Sequence, residues 1–240
     1  MLGRRVGSAA DMRRYWDERA RENAVFYVDT SLAYGAPDME RFWATGRTVV
    51  DEALLRAPVQ PAGRDLAVEI GAGLGRICVA LAEHFDHVIG IDVSPEMVHR
   101  ARGLVAHPRV RFEVGDGVSL AAVADASADL VLSFTVFQHQ TDRSTAARYL
   151  AEAGRVLRAG GVVAVQWNND AHPRRYAVRA WWLRAKRRLG LLGDERAAAP
   201  FLGRPLPLPF MTDVLSASGL DPIGTRGEGT LFAWIWAVKR

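Results

Sequence analysis

The stretch Glu69-Ile70-Gly71-Ala72-Gly73-Leu74-Gly75-Arg76 constrains this chain more than any other. An apolar run over 65–70 leads into it and a helical pattern, Leu74 to Phe85, leaves it, so the glycines sit in a strand-to-helix turn. Glycines there let the backbone bend sharply and let a ligand approach main-chain N–H groups where a Cβ would collide. A nucleotide-like ligand is implied, although some turns of this kind use glycine only for packing. A GxGxxG dinucleotide fingerprint begun at Gly71 needs its last glycine where Arg76 stands, and the third glycine comes one residue earlier. That spacing disfavours NAD.

From residue 65 onward, strand-like runs alternate with helical patterns. Strands are predicted near 65–70, 87–92, 110–114, 128–133, 161–167, 222–228 and 231–238, and helices over Leu74 to Phe85, Pro95 to Val105, Arg143 to Leu157 and Met211 to Ser218. The expected fold is α/β: a Rossmann-like, seven-stranded, mostly parallel sheet with helices on both faces, plus helical lid elements. Ser94-Pro95-Glu96 makes a helix start, Thr141 or Asp142 opens the next helix, and Gly160 with Gly161 closes it in a left-handed turn.

Two segments lie outside this alternation. Residues 1–60 read as an N-terminal helical lid rich in aromatics, and 61–240 as the core, within which 171–209 form a basic, tryptophan-bearing lid insertion. The simpler role for each aromatic is to pack extra helices onto the core. The insertion holds eight basic residues against two acidic ones between Ala171 and Arg196, whereas the whole chain carries only +4.

With 240 residues, 49% hydrophobic and 24% charged, the chain is an ordinary globular protein whose core needs neither disulfides nor metal. Cys78 is alone, which suits a reducing compartment and excludes CxxC zinc or redox sites. The longest apolar run, Leu231 to Val238, has eight residues where a membrane helix needs about 20, and no signal peptide is evident. A cytoplasmic protein without membrane contact is expected.

The second strand ends at Asp92, 21 positions after Gly71. An acid about 20 residues beyond the glycine loop, at the edge of the neighbouring strand, can accept both hydroxyls of a ribose. The alternative is an aspartate that caps the helix beside Ser94.

At this point the sequence resembles the class I S-adenosylmethionine-dependent methyltransferases. The matching residues are AVEIGAGLG (67–75), VIGIDVSPEM (88–97), FEVGDG (112–117), ADLVLSFTVFQH (128–139) and RVLRAGG (155–161), in the family's order over about residues 65–170. The resemblance implies S-adenosylmethionine as cofactor. It implies that Gly71, Ala72, Gly73 and Gly75 make room for the methionine portion and that Glu69 steers its ammonium. Asp92 would hold the ribose, Val93 and Met97 would flank the adenine, and Asp116 and Gly117 would meet the adenine edge. Ser133 and Phe134 would contact the amino-acid portion. Tyr15 and Trp16, in YWDERA, resemble an amino-terminal element that closes over the cofactor.

The sulfonium, ammonium and ribose of that cofactor call for acids and aromatic faces, and backbone N–H groups suit its carboxylate. Methyl transfer is an in-line displacement on an activated carbon, so alignment and exclusion of water can suffice. If the acceptor is a hydroxyl, His139 after the fourth strand is the first candidate base, with a structural role as the alternative. Candidate acceptor-lining residues are Phe26, Tyr27, Trp43, Trp167, Asn168, His172 and Trp181, with His172 the second candidate base. No metal is expected, because Ser133, Phe134 and Thr135 stand where metal-dependent relatives need carboxylates.

A small-molecule acceptor, methylated on O or N, is the favoured substrate. Nucleic acid is the rival partner: the insertion's arginines could neutralise phosphates and its tryptophans could stack on bases, as in an RNA- or tRNA-directed enzyme. The same run reads equally as the solvated face of an amphipathic helix, or as a holder of an anionic small substrate. A non-catalytic S-adenosylmethionine-binding protein is the alternative from another class. Oligomeric state is not legible.

Overall fold

The computed structural model describes residues 9–140, 142–170, 178, 181–182, 185–186, 189–190 and 205–240. The elements in chain order are α1 (Ala9–Val28), α2 (Met39–Leu55), β1 (Leu66–Ile70), α3 (Arg76–Leu81), β2 (His87–Asp92), α4 (Pro95–Leu104), β3 (Val110–Val114) and β4 (Ala128–Ser133). A single 3-10 turn (Phe137–His139), α5 (Arg143–Val156), β5 (Leu157–Trp167), α6 (Leu208–Ala217), β6 (Leu220–Arg226) and β7 (Ala233–Lys239) follow. The sheet order is β3-β2-β1-β4-β5-β7-β6, with only β7 antiparallel to its neighbours. The expected seven-stranded, mostly parallel sheet is present.

Both faces are covered, so the central strands are buried on both sides and mostly apolar rather than alternating. Every residue of β4 is buried. On one face Tyr149, Leu150, Met211 and Leu215 of α5 and α6 pack on Val68, Ile70, Val131 and Val165. On the other, Val49, Val50 and Leu54 of α2 join Ile77, Leu81 and Val98 against Ala67, Leu130, Leu132 and Trp236. α2 thus lies in the same apolar cluster as the sheet, and the Trp236 indole N–H donates to the Ala53 carbonyl at 2.9 Å. α1 packs through Ala20 and Ala24 on Phe42, Leu74 and Met97.

The strand order reverses between β1 and β4, where consecutive crossovers leave in opposite directions. That reversal opens a crevice at the carboxyl ends of the strands. It sets where a ligand can sit.

Several predicted boundaries move, each for a local reason. Gly160 is left-handed (φ +76°), but it marks a bulge within β5, where pairing with β4 shifts register; α5 ends four residues earlier, at Val156. α3 begins at Arg76 rather than Leu74, because left-handed Gly75 stands as its amino-terminal cap. α6 starts three residues early, since prolines cost little in a first turn. Ser94 and Asp142 cap α4 and α5 as expected, accepting from the Met97 and Thr145 amides. Thr141 lies outside the described residues.

Candidate active site

The crevice is open to solvent and spans roughly 1050 Å³ when the solvent at its mouth is included. β1, β2 and the loops behind them supply Glu69, Gly71, Ala72, Gly73, Asp92 and Val93; Met97 comes from α4 and Gly117 from beyond β3. Gly71 (φ +78°) and Gly73 (φ +53°) are left-handed, and a Cβ on either would run into Val136 or Val28 at 2.2 and 2.7 Å. Only glycine lets this loop pass between the strand and the overlying residues.

Asp92 fastens the loop from the neighbouring strand. Its Oδ2 accepts from the Gly73 amide and its Oδ1 from the Ser94 amide, each at 2.8 Å. Burial pushes its pKa up, against the lowering effect of those backbone donors. The helix-end role weighed from the sequence is therefore real: Asp92 supports the start of α4 while also lining the crevice. Glu69 is buried, and burial raises its carboxyl to about 8, although a hydrogen bond from the Cys78 thiol and the charge of Arg76 both pull it down. Such a carboxyl is poised to ionise when a cation arrives.

α1 borders the crevice. Asp17 accepts from Ser94 Oγ at 2.6 Å and from the Glu96 amide at 3.0 Å, which ties α1 to the start of α4. This places Ala9, Met12 and Trp16 on the crevice wall. The helix breaks at Asn23 (φ −163°, ψ 80°), whose Oδ1 caps the Phe26 amide, and the turned segment brings Tyr27 and Val28 to the same wall.

A second chamber, roughly 1300 Å³ with the solvent at its mouth included, abuts the first. The two share Trp16, Tyr27, Val28, Arg76, Phe134, Thr135 and His139. Asp29, Thr45, Thr48, Gln138, Asn168, Leu231 and Phe232 line only the second. His139 therefore stands at the junction, with its ring edge-on to Trp16 at 5.3 Å between centroids.

Other sequence candidates fall elsewhere. Gly75 is off the crevice: a Cβ there would strike Phe112 at 2.5 Å, so it serves packing of β3. Asp116 does not line it; burial, the largest single effect, pushes its carboxyl up, but the Val118 and Ser119 amides and the Ser119 hydroxyl that donate to it together hold it below the usual range. Ser133 is buried with its hydroxyl on the Ile70 carbonyl. Tyr15, Phe26 and Trp43 belong to the packing of α1 and α2, where Tyr15 meets Trp16 and Arg19, Phe26 meets Tyr27 and Tyr34, and Trp43 meets Phe42. Trp167 is fully buried, with its indole N–H on the Leu206 carbonyl. Trp181 is exposed, and His172 lies outside the described residues along with most of the basic insertion.

Of the lining residues that the sequence did not single out, two stand apart. Arg76 closes the quoted glycine motif and is 5% exposed. Thr135 sits at φ +59°, a left-handed conformation that a β-branched residue rarely adopts. Among the described residues no group of three or more His, Cys, Asp or Glu is disposed to hold a metal, and no helix is long and apolar enough to cross a membrane.

A family model described as a methyltransferase domain matches residues 68–165, which span β1 to β5. The chain is 29% identical over 189 residues to ajmaline N-methyltransferase of Rauvolfia serpentina, covering 73% of this chain and 62% of that protein. It is 32% identical over 178 residues to trans-aconitate 2-methyltransferase of Methylobacterium radiotolerans, covering 71% of this chain and 62% of that protein. The chain thus spans less than two thirds of these curated relatives. The solved structure of magnesium protoporphyrin IX methyltransferase from Synechocystis PCC 6803 with bound SAH matches 97% of this chain and 99% of that one, with a TM-score of 0.63. At 15% identity that likeness concerns the fold.

Motif order, strand order and the matched model agree: residues 68–165 form a methyltransferase domain of the class I S-adenosylmethionine-dependent type.

Proposed function

We propose that the protein transfers a methyl group from S-adenosylmethionine to a small-molecule acceptor, on oxygen or nitrogen. The observation that carries this reading is the pair of chambers meeting at Trp16, Phe134, Thr135 and His139. One has the donors and acceptors of an adenosyl amino acid, and the other is walled largely by aromatic and neutral polar groups.

The donor set fits the cofactor chemically: buried Glu69 suits an ammonium, Asp92 a ribose hydroxyl, and Trp16 puts an aromatic ring on the crevice wall for a sulfonium. When bound, the cofactor supplies an activated methyl group. Val93, Met97 and Gly117 would take the adenine. α1, latched through Asp17, would act as the lid that keeps water from the junction. Alignment of the two ligands there provides most of the rate. His139 would take the proton of a hydroxyl acceptor.

Ajmaline N-methyltransferase and trans-aconitate 2-methyltransferase are named for small acceptors, which supports a small molecule over nucleic acid. The test is isothermal titration with S-adenosylhomocysteine, followed by a radiolabelled methyl-transfer screen of a metabolite extract and of tRNA. Micromolar binding with label in the small-molecule fraction is expected. Label in tRNA alone would overturn the acceptor class, and binding with no transfer would leave a cofactor-binding protein.

A further inference from the structure

Arg76 is the only lysine or arginine among the described residues that line either chamber. Its side chain is buried, yet among the described residues its sole hydrogen bond runs from Nη1 to the Thr45 hydroxyl at 3.3 Å, and its buried Nε has no partner there. Burial pulls its pKa down, with Asp29 and Glu69 opposing through their charges. Neither carboxylate bonds to it. Asp29 is already supplied by the Ser31 amide and hydroxyl and by Thr45, and Glu69 by the Cys78 thiol.

An arginine stays charged under all physiological conditions, and a buried guanidinium with unused donors is costly to keep. A flat, forked donor of this kind matches a carboxylate better than any other common group. Position decides which carboxylate. The guanidinium lies over the Phe134 ring at 5.6 Å and reaches Thr45 on α2, a residue that lines only the second chamber. The guanidinium therefore reaches the acceptor side. Next to it, Phe134 stacks on Phe232, another wall of that chamber alone.

We propose that Arg76 is a specificity-determining residue that anchors the carboxylate of an anionic acceptor, whose apolar body lies along Phe134 and Phe232. The inference rests on the methyltransferase reading above, and it concerns a residue the glycine motif carries into the wall rather than the arginines of the insertion.

The test uses protein saturated with S-adenosylhomocysteine, titrated with benzoate, phenylacetate and indole-3-carboxylate and with their primary amides. Binding is read by calorimetry and by tryptophan fluorescence. In the wild type at least one acid should bind about tenfold or more tighter than its amide, and Arg76→Gln, again saturated with S-adenosylhomocysteine, should erase that preference. Arg76→Lys, which keeps the charge but not the fork, should retain part of it and guards against misfolding of the glutamine variant. Acids and amides binding alike, no acid binding below about 10 mM, or a preference that survives in Arg76→Gln would each overturn the proposal. So would a variant that loses affinity for S-adenosylhomocysteine but not for 5′-methylthioadenosine, since the guanidinium would then serve the cofactor's own carboxylate. Failure of the wild type to bind S-adenosylhomocysteine would instead sink the underlying functional reading.

Discussion

The two chambers are built by different means. The first is made by backbone: strand ends, left-handed glycines and a carboxylate that pins one loop to the next strand. The second is made by side chains from α1, α2, the end of β4 and the segment before β7, elements separated by most of the chain. A backbone site tolerates few residue types and fails as a unit. A side-chain site can be altered piece by piece, which is how one fold accommodates many acceptors.

The largest contrast is expected from Gly71→Val against Phe232→Ala. The valine must adopt φ +78° and meets Val136, so a loss of ~3 kcal/mol or more and no S-adenosylhomocysteine binding are expected. Phe232 is 56% exposed, and its truncation should leave the melting temperature nearly unchanged while acceptor KM rises. Equal destabilisation by the two variants would abolish the distinction between the chambers.

His139 sharpens the comparison because it touches both chambers. If it serves as base to a hydroxyl acceptor, His139→Ala should lower single-turnover methyl transfer by about 10²-fold or more, with S-adenosylhomocysteine affinity little changed. A fall of less than threefold would assign the imidazole to holding Trp16 and the turn in place. Asp92→Asn ranks next: it keeps one acceptor oxygen but weakens both the loop anchor and the ribose contact proposed above, so affinity should drop about tenfold by titration.

Glu69 offers a pH test confined to the backbone-built side. Its carboxyl titrates near 8, so in the empty site it is mostly protonated at pH 7. An ammonium ligand favours the ionised form, and binding releases that proton. S-adenosylhomocysteine affinity should rise from pH 6 to 8, approaching tenfold per unit at the acid end and levelling off above. Stability of the empty protein runs the other way. The folded state keeps a proton that the unfolded chain loses near 4.5, so Glu69 makes stability fall as pH rises between 4.5 and 8. Calorimetry in two buffers of different ionisation enthalpy measures the released proton, and a pH-independent affinity would refute the assignment.

What was legible in the sequence follows the same division. Glu69, Gly71, Ala72, Gly73, Asp92, Val93, Met97 and Gly117 all lie within a few residues of a strand end, so local pattern and strand order were enough to bring them together. The second chamber depends on how α1 folds back at Asn23 and how α2 meets α3, which no local pattern encodes. Aromatic content alone therefore named Phe26 and Trp43 together with Tyr27, and only the last reaches a chamber. Gly75 and Gly160 were recognised as special positions for the wrong local reason: one makes room for Phe112 and the other for a bulge.

Thr135 is where the two building styles meet, and it carries the smallest predicted effect. Its amide donates to the Gln166 side chain at 2.8 Å, which holds the end of β4 in a left-handed conformation between the chambers. A β-branched residue there costs ~1–2 kcal/mol relative to an unstrained one, while glycine gives back part of that gain through the greater freedom of its unfolded chain. Thr135→Gly keeps the amide donor, so the net stabilisation should be under ~1 kcal/mol, a rise in melting temperature of about 2 °C at this chain length. If the strain serves to aim Phe134 and the following turn, the more stable variant should transfer methyl groups more slowly, because the loosened backbone no longer fixes the junction. A variant both more stable and equally fast would mean that the strain at Thr135 has no part in aligning the two ligands.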